Sequence, residues 1–200
     1  MNIELPRDVQ LILAKLEREG YEAYVVGGCV RDTLLDKEPD DWDITTSAKP
    51  EEIKKAFVKT VDTGIKHGTV TVIINGNGYE VTTYRIDGEY KDGRHPSDVK
   101  FTRSLRDDLK RRDFTINAIA YNTSNGLKDL FYGRSDLRSR IIRAVGNPEF
   151  RFKEDALRMM RAIRFSAQLG FNIDIDTYHA IIRCSHLIKQ VSMERIQVEL

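Results

Sequence analysis

Cysteine is scarce in this chain. Cys29 and Cys184 are its two thiols, far apart and not part of a C-x-x-C pair. That usage argues against a disulfide framework or a zinc site, and a reducing cytosol fits it. The four histidines show no metal-ligand spacing. There is no G-x-x-x-x-G-K-[ST], and no G-x-G-x-x-G follows a strand, so a P-loop and a Rossmann dinucleotide site are unsupported. No Ser/His/Asp arrangement can be argued. No apolar run approaches membrane-spanning length, and Met1 to Arg18 is charged and amphipathic, without the apolar centre of a signal peptide. An excess of charge of one sign is missing too: 32 Lys and Arg stand against 31 Asp and Glu, so any nucleic-acid partner must be held by a local patch.

What is present is a chain of 200 residues with an ordinary soluble balance, enough for one domain with a sizeable core or one domain and the start of another. Val9, Ile12, Leu13 and Leu16 recur at helical spacing, with Pro6 near the start and Gly20 as the stop. Tyr24 to Val26 reads as a short buried strand, Arg31 to Leu35 as a helix after a glycine turn, and Pro50 to Phe57 as a second short helix. Val70, Val72 and Ile74 alternate before Asn75-Gly76-Asn77-Gly78, which predicts a hairpin returning through Tyr79 to Ile86. Asp87 to Ser97, rich in Gly, charge and Pro, reads as a mobile loop of the kind that closes over ligands. Strand-like residues resume at Val99, and a charged helix follows from Leu105. After Gly146-Asn147-Pro148 the pattern turns helical to the end at Leu200, so a domain boundary is expected at 147/148. The last helix looks unfinished.

Asp41-Trp42-Asp43-Ile44 reads as a strand carrying two carboxylates on one face, since residues i and i+2 share a side. Two such acids repel each other unless a cation lies between them, and a divalent ion with oxygen ligands such as Mg²⁺ is the simplest occupant. Gly27 and Gly28, just upstream, leave room for a phosphate beside helix N–H groups. A metal beside a phosphate points to phosphoryl or nucleotidyl transfer. Glu80, in mid-strand, is a candidate third acid, with an exposed structural residue as the equal alternative. Lys110-Arg111-Arg112 is either a solvated helix face or a run in which Arg112 grips a triphosphate bidentately.

In the predicted helix from Glu154 to Gln168, Ala156, Met160, Ile163 and Ala167 form an apolar stripe. Asp155, Arg158 and Arg161 lie away from it, and Arg164 drifts towards its margin. Asp155 and Arg158 either pair as a surface ion pair or read a base edge. A carboxylate accepts from an exocyclic amine while a guanidinium donates to ring acceptors. Cytosine and adenine offer that order, and guanine and uracil do not.

Gly27-Gly28-Cys29-Val30-Arg31-Asp32, Asp41-Trp42-Asp43, Arg111-Arg112-Asp113-Phe114-Thr115-Ile116-Asn117-Ala118 and Glu154-Asp155-Ala156-Leu157-Arg158-Met159-Met160-Arg161-Ala162-Ile163-Arg164-Phe165 together resemble the motifs of the class II CCA-adding tRNA nucleotidyltransferase and bacterial poly(A) polymerase family, within the polymerase-β nucleotidyltransferase superfamily. The resemblance runs in order over nearly the whole chain. It implies an α+β fold: a catalytic head with a mixed sheet flanked by helices (1–147) and an all-helical neck (148–200). It implies that Asp41 and Asp43 bind Mg²⁺ with Glu80 as third carboxylate, and that Gly28, Arg31 and Arg112 hold the incoming nucleotide. Asp155 and Arg158 would serve as the protein template, with Arg161 and Arg164 on nucleotide or phosphate. The Asp87–Ser97 loop would switch C to A addition. The activity implied is template-independent addition of C and A to a tRNA 3′ end from CTP and ATP in the cytoplasm, with no membrane or protein partner. A poly(A) polymerase using ATP alone and a non-catalytic nucleotide- or RNA-binding fragment are the competing readings. Family members continue into body and tail domains that grip tRNA, so this chain is expected to be a truncated or minimal form.

Overall fold

The computed structural model describes residues 3–88 and 99–200. The chain forms two compact units. One comprises Met1–Ile86, Val99–Leu109 and Ile119–Leu130. The other comprises Asp87–Asp98, Lys110–Ala118 and Phe131–Leu200.

The first unit opens with α1 (Arg7–Arg18), whose buried side is the predicted Val9, Ile12, Leu13 and Leu16. Burying each such side chain contributes roughly 1.5–3 kcal/mol. Gly20, at φ +88°, ends the helix in a conformation that glycine adopts without strain. Then come β1 (Ala23–Val26), α2 (Gly28–Leu34), β2 (Ile44–Thr46), α3 (Pro50–Ala56), β3 (Thr60–Gly64), β4 (Thr69–Ile74) and β5 (Asn77–Thr83). After β6 (Arg85–Asp87), β7 (Val99–Phe101) and α4 (Leu105–Lys110), β8 (Ile119–Asn122) and β9 (Gly126–Asp129) complete it.

Seven strands form one sheet in the order β3-β4-β5-β2-β1-β8-β9. β2 and β5 run parallel and the other pairs antiparallel, so the sheet is mixed, as expected. β1, an interior strand between β2 and β8, is buried at all four residues. That is why it reads as a continuous apolar run rather than an alternation. The β4–β5 turn is Asn75-Gly76, both at positive φ, which matches the twist of the paired strands. α1 packs on β1, and α3 on β4 and β5.

The second unit contains α5 (Gly133–Ser139), β10 (Ile141–Ile142), α6 (Pro148–Glu154), α7 (Leu157–Leu169), β11 (Asn172–Ile173), α8 (Ile175–Cys184) and α9 (Met193–Val198). Asn147 caps α6 by accepting from the Phe150 N–H at 3.1 Å, with Pro148 in the first turn, and Asp174 caps α8 in the same way. Past Pro148 the chain is helical apart from β11, which pairs parallel with β10. Lys110–Ala118 is tied into this unit: the Thr115 N–H donates to the Arg143 carbonyl at 2.9 Å, and Phe114 meets Phe165 edge to face.

Two local expectations are corrected. Asp41 to Asp43 precede β2, which begins at Ile44; Asp43 joins β1 through its carbonyl, which accepts from the Val26 N–H at 3.0 Å. The expected helix from Glu154 to Gln168 is two helices, α6 and α7, broken at Asp155, whose backbone is extended (φ −144°, ψ 106°). The break rotates the buried side. Met159, Ala162 and Phe165 face inward, while Ile163 is 49% exposed.

Candidate functional site

The acid-bearing segment is built on the centre of the first unit's sheet. β1 leads into Gly27, whose φ of 86° and ψ of −132° turn the chain directly into α2. A side chain resists that combination, so the glycine is a backbone requirement. Gly28 is helical, and an added Cβ there would meet Arg31 Nη2 at an ordinary 3.7 Å. Arg31 is buried, held by Asp32 through a two-pronged contact at 2.8 Å on each side.

Asp41 and Asp43 are exposed, two residues apart, on the lead-in to β2. Ile44 is buried and pairs with Val25. Thr45 Oγ1 donates to the buried Asp108 of α4 at 3.1 Å, which anchors the strand they lead into. β2 and β5 pair Ile44 with Val81. Glu80, exposed on β5, directly precedes Val81, and Asp43 directly precedes Ile44, where the ladder begins. Cys29 reports on the same neighbourhood. Burial, and then the nearby Asp43 charge, push its thiol up to about 12, so it stays protonated and inert.

The donor set is wholly carboxylate oxygen, which suits a hard divalent cation. Among the described residues, no three His, Cys, Asp or Glu side chains are grouped to hold a metal. Two acids still fit Mg²⁺, which commonly takes one or two carboxylates and completes its shell with water and substrate phosphate.

A separate cavity of about 280 Å³ lies within the second unit. Arg111, Arg112, Arg158, Arg161 and Arg195 line it with Asp113 and Asp155, so guanidinium groups outnumber carboxylates along its walls, which suits an anion. Of the sequence-derived candidates it brings together Arg112, Asp155, Arg158 and Arg161. Arg164 is not among its lining residues. It lies one turn further along α7, bound to Glu199 at 2.6 Å with its guanidinium over Phe165.

The side chains of Asp155 and Arg158 do not pair with each other; across the break the Arg158 N–H donates to the Asp155 carbonyl at 3.1 Å. Asp155 Oδ1 accepts from the Leu157 N–H (3.0 Å) and Arg195 Nη1 (3.4 Å), and Oδ2 from Arg195 Nη2 (2.9 Å). Arg158, only 9% exposed, donates through Nη1 to Glu154 (2.7 Å) and the Arg151 carbonyl (3.3 Å), and through Nη2 to the Arg111 carbonyl (3.1 Å). Arg161 grips Asp113 at 2.7–2.8 Å and extends to Glu199 at 3.5 Å. Burial pushes the Asp113 carboxyl up, but the Arg161 guanidinium and hydrogen bonds from Phe114 and Asn117 outweigh it and hold it below its usual range.

Sequence reasoning missed Glu154, Arg195 and Glu199. Glu154 and Arg158 stand at i and i+4, a spacing that signals their pairing. Arg195 lies 40 residues from Asp155, with no local pattern to announce it.

Residues 23–143 match the family described as the poly A polymerase head domain, more than half of the chain. The chain belongs to that family. Residues 170–200 match a second family, described as a probable RNA and SrmB-binding site of polymerase A. A CCA-adding enzyme from Ligilactobacillus salivarius is 57% identical over 188 residues, 94% of this chain and 46% of the relative. The Bacillus stearothermophilus CCA-adding enzyme in complex with CTP superposes with a TM-score of 0.89 at 49% identity, over 96% of this chain and 47% of that one. The Thermotoga maritima CCA-adding enzyme complexed with tRNA gives 0.81 at 26% identity, over 99% of this chain and 47% of that one. The chain thus spans about half the length of the curated relatives it matches. The polymerase-β-type nucleotidyltransferase head expected from the motifs is the fold observed. The nucleotidyltransferase family generally works with a divalent metal. No helix among the described residues is long and apolar enough to cross a membrane.

Proposed function

We propose that this chain carries the nucleotide-selecting and nucleotide-transferring part of a CCA-adding enzyme. It would add C and A to the 3′ end of tRNA from CTP and ATP and release pyrophosphate. The observation that carries the reading is the cationic cavity in which one carboxylate, Asp155, and one buried guanidinium, Arg158, are both fixed by other groups.

The donor count agrees with the base preference. Arg158 has five N–H donors, and three are committed. Nε and one Nη2 hydrogen have no partner among the described residues. Two donors match N3 and O2 of cytosine, and one suffices for N1 of adenine. The exocyclic amine of either base donates to Asp155. Guanine and uracil place a carbonyl where that amine would be, setting acceptor against acceptor. Selection of this kind needs no nucleic-acid template. Arg112 and Arg161 supply positive charge for the triphosphate, and we assign Gly28, Arg31 and Arg164 to nucleotide binding by the family resemblance. In the reaction the 3′-hydroxyl oxygen bonds to the α-phosphorus as the bond to pyrophosphate breaks. Asp41 and Asp43, with Glu80 as third acid, would hold Mg²⁺, which supplies charge to the departing phosphates when bound. Residues 1–147 serve as the catalytic head and 148–200 as the base-reading neck. A cytoplasmic location agrees with the two buried thiols.

The test is a tRNA ending before CCA, incubated with Mg²⁺ and each labelled nucleotide. Incorporation of C, then of A, by the wild type, and none by Asp43→Asn with an unchanged melting temperature, is expected. A run of A from ATP alone would make the protein a poly(A) polymerase. Binding without any incorporation would make it a nucleotide-binding fragment.

A further inference from the structure

We infer that Arg195 is a positioning residue for base selection: it fixes the rotation of the Asp155 carboxylate so that one oxygen lone pair, on Oδ2, is offered to the base. The inference rests on the base-reading role proposed for Asp155 and Arg158.

Asp155 sits at the break between α6 and α7, where the backbone is extended and no helical turn confines its side chain. The terminal torsion of an aspartate is soft and roughly two-fold, so an unclamped carboxylate can present either oxygen over a wide arc. Two things remove that freedom. The Leu157 N–H holds Oδ1 at 3.0 Å, and Arg195 spans both oxygens, at 3.4 Å to Oδ1 and 2.9 Å to Oδ2. A carboxylate has about four acceptor positions. Two contacts occupy Oδ1 and one occupies Oδ2. What remains is a single acceptor on Oδ2, in a wall of the cavity that Arg158 also lines.

Arginine is suited to this task. Its planar fork sets the plane of the partner carboxylate, whereas a lysine ammonium would supply the charge without the orientation. Arg195 comes from α9, so a third helix of the same unit takes part in setting the cavity. Glu199, at the end of that helix, holds Arg161 and Arg164. With Arg195 removed, Asp155 can turn away from the amine position, and the repulsion that rejects the guanine and uracil carbonyls weakens.

The test is equilibrium binding of CTP, ATP, GTP and UTP, with Mg²⁺, to the 200-residue chain by titration calorimetry. Wild type, Arg195→Lys and Arg195→Met are compared, with folding checked by circular dichroism. The readout is the ratio of CTP and ATP affinity to GTP and UTP affinity. We expect Arg195→Met to lower that ratio about tenfold or more. Arg195→Lys keeps the charge and should lower the ratio while leaving GTP and UTP affinity near the wild-type value. Equal weakening of all four nucleotides, with the ratio preserved in both variants, would mean a merely structural role and overturns the inference. If Arg195→Met fails to fold, Arg195→Lys alone decides. A wild type that binds all four alike overturns the functional reading and the inference with it. A discriminating wild type with equally discriminating variants overturns the inference alone.

Discussion

Asp113 carries a charge in a buried place, and the balance that keeps it there sets a pH dependence. Burial alone would neutralise it. Arg161, the Phe114 N–H and the Asn117 amide reverse that, and the folded carboxyl ionises below its ordinary range. A depressed folded value means the stabilisation is fully present above the unfolded pKa, near about 3.9, and is lost as pH falls through the folded value. Chemical denaturation at stepped pH should therefore show stability declining below about pH 4. Asp113→Asn should lose that part of the acid dependence. At neutral pH it should be less stable by about 3 kcal/mol, because Arg161 loses its short ion pair and keeps only the longer contact to Glu199. An acid limb identical in wild type and variant would show that other carboxylates set it. At this scale the sequence was partly legible. Asp155, Arg158 and Arg161 stand out by spacing, and the structure brings all three to one cavity. The groups that hold them were hidden, because Arg195 and Glu199 reach back 35 to 40 residues and nothing local marks the partner.

At the scale of elements, what could be read was what repeats at short range. α1 and the β4–β5 hairpin follow from periodicity and turn chemistry; α1 stands where expected, while the hairpin turns at Asn75-Gly76 alone and its return strand runs Asn77–Thr83 rather than Tyr79 to Ile86. The α6–α7 break did not show, because Glu154 to Gln168 contains no proline or glycine and its apolar residues fill several helical rows. At the interruption Asp155 is extended, and its carboxylate is held by the Leu157 N–H and by Arg195, 40 residues away. Residues 89–98, most of the expected Asp87–Ser97 loop, lie outside the described residues. The glycine turn before α2 gives the sharpest prediction at this scale. Gly27 has a backbone conformation that L residues rarely adopt, whereas Gly28 is helical, with space for a methyl group. Gly27→Ala should cost about 1–3 kcal/mol, and Gly28→Ala should be near neutral, in urea denaturation followed by circular dichroism. Equal losses for the two would mean that crowding, not backbone conformation, sets the requirement.

Across the whole molecule, the chain leaves its first compact unit and returns to it, contributing Lys110–Ala118 to the second in passing. Composition along the chain cannot show this, since it registers a change from mixed elements to helices near Pro148 but not which distant segments touch. Asp113, Arg143 and Ala144 each have a partner beyond that point. Arg161 holds Asp113, Asp174 accepts from Arg143 at 2.5 Å, and Thr177 Oγ1 accepts from the Ala144 N–H at 3.1 Å. A protein ending at residue 147 would leave the Asp113 carboxylate unpaired and strip the supports of β10. Its first-unit sheet, by contrast, keeps every strand, because β1 to β5, β8 and β9 all precede residue 130. Amide hydrogen exchange on the 1–147 piece should therefore show protection retained in β1, β2 and β8 and lost from residues 131–147 and around Phe114. Protection throughout 1–147 would establish the head as a free-standing domain bounded at Pro148. Protection nowhere would mean that the sheet itself depends on the helices that follow.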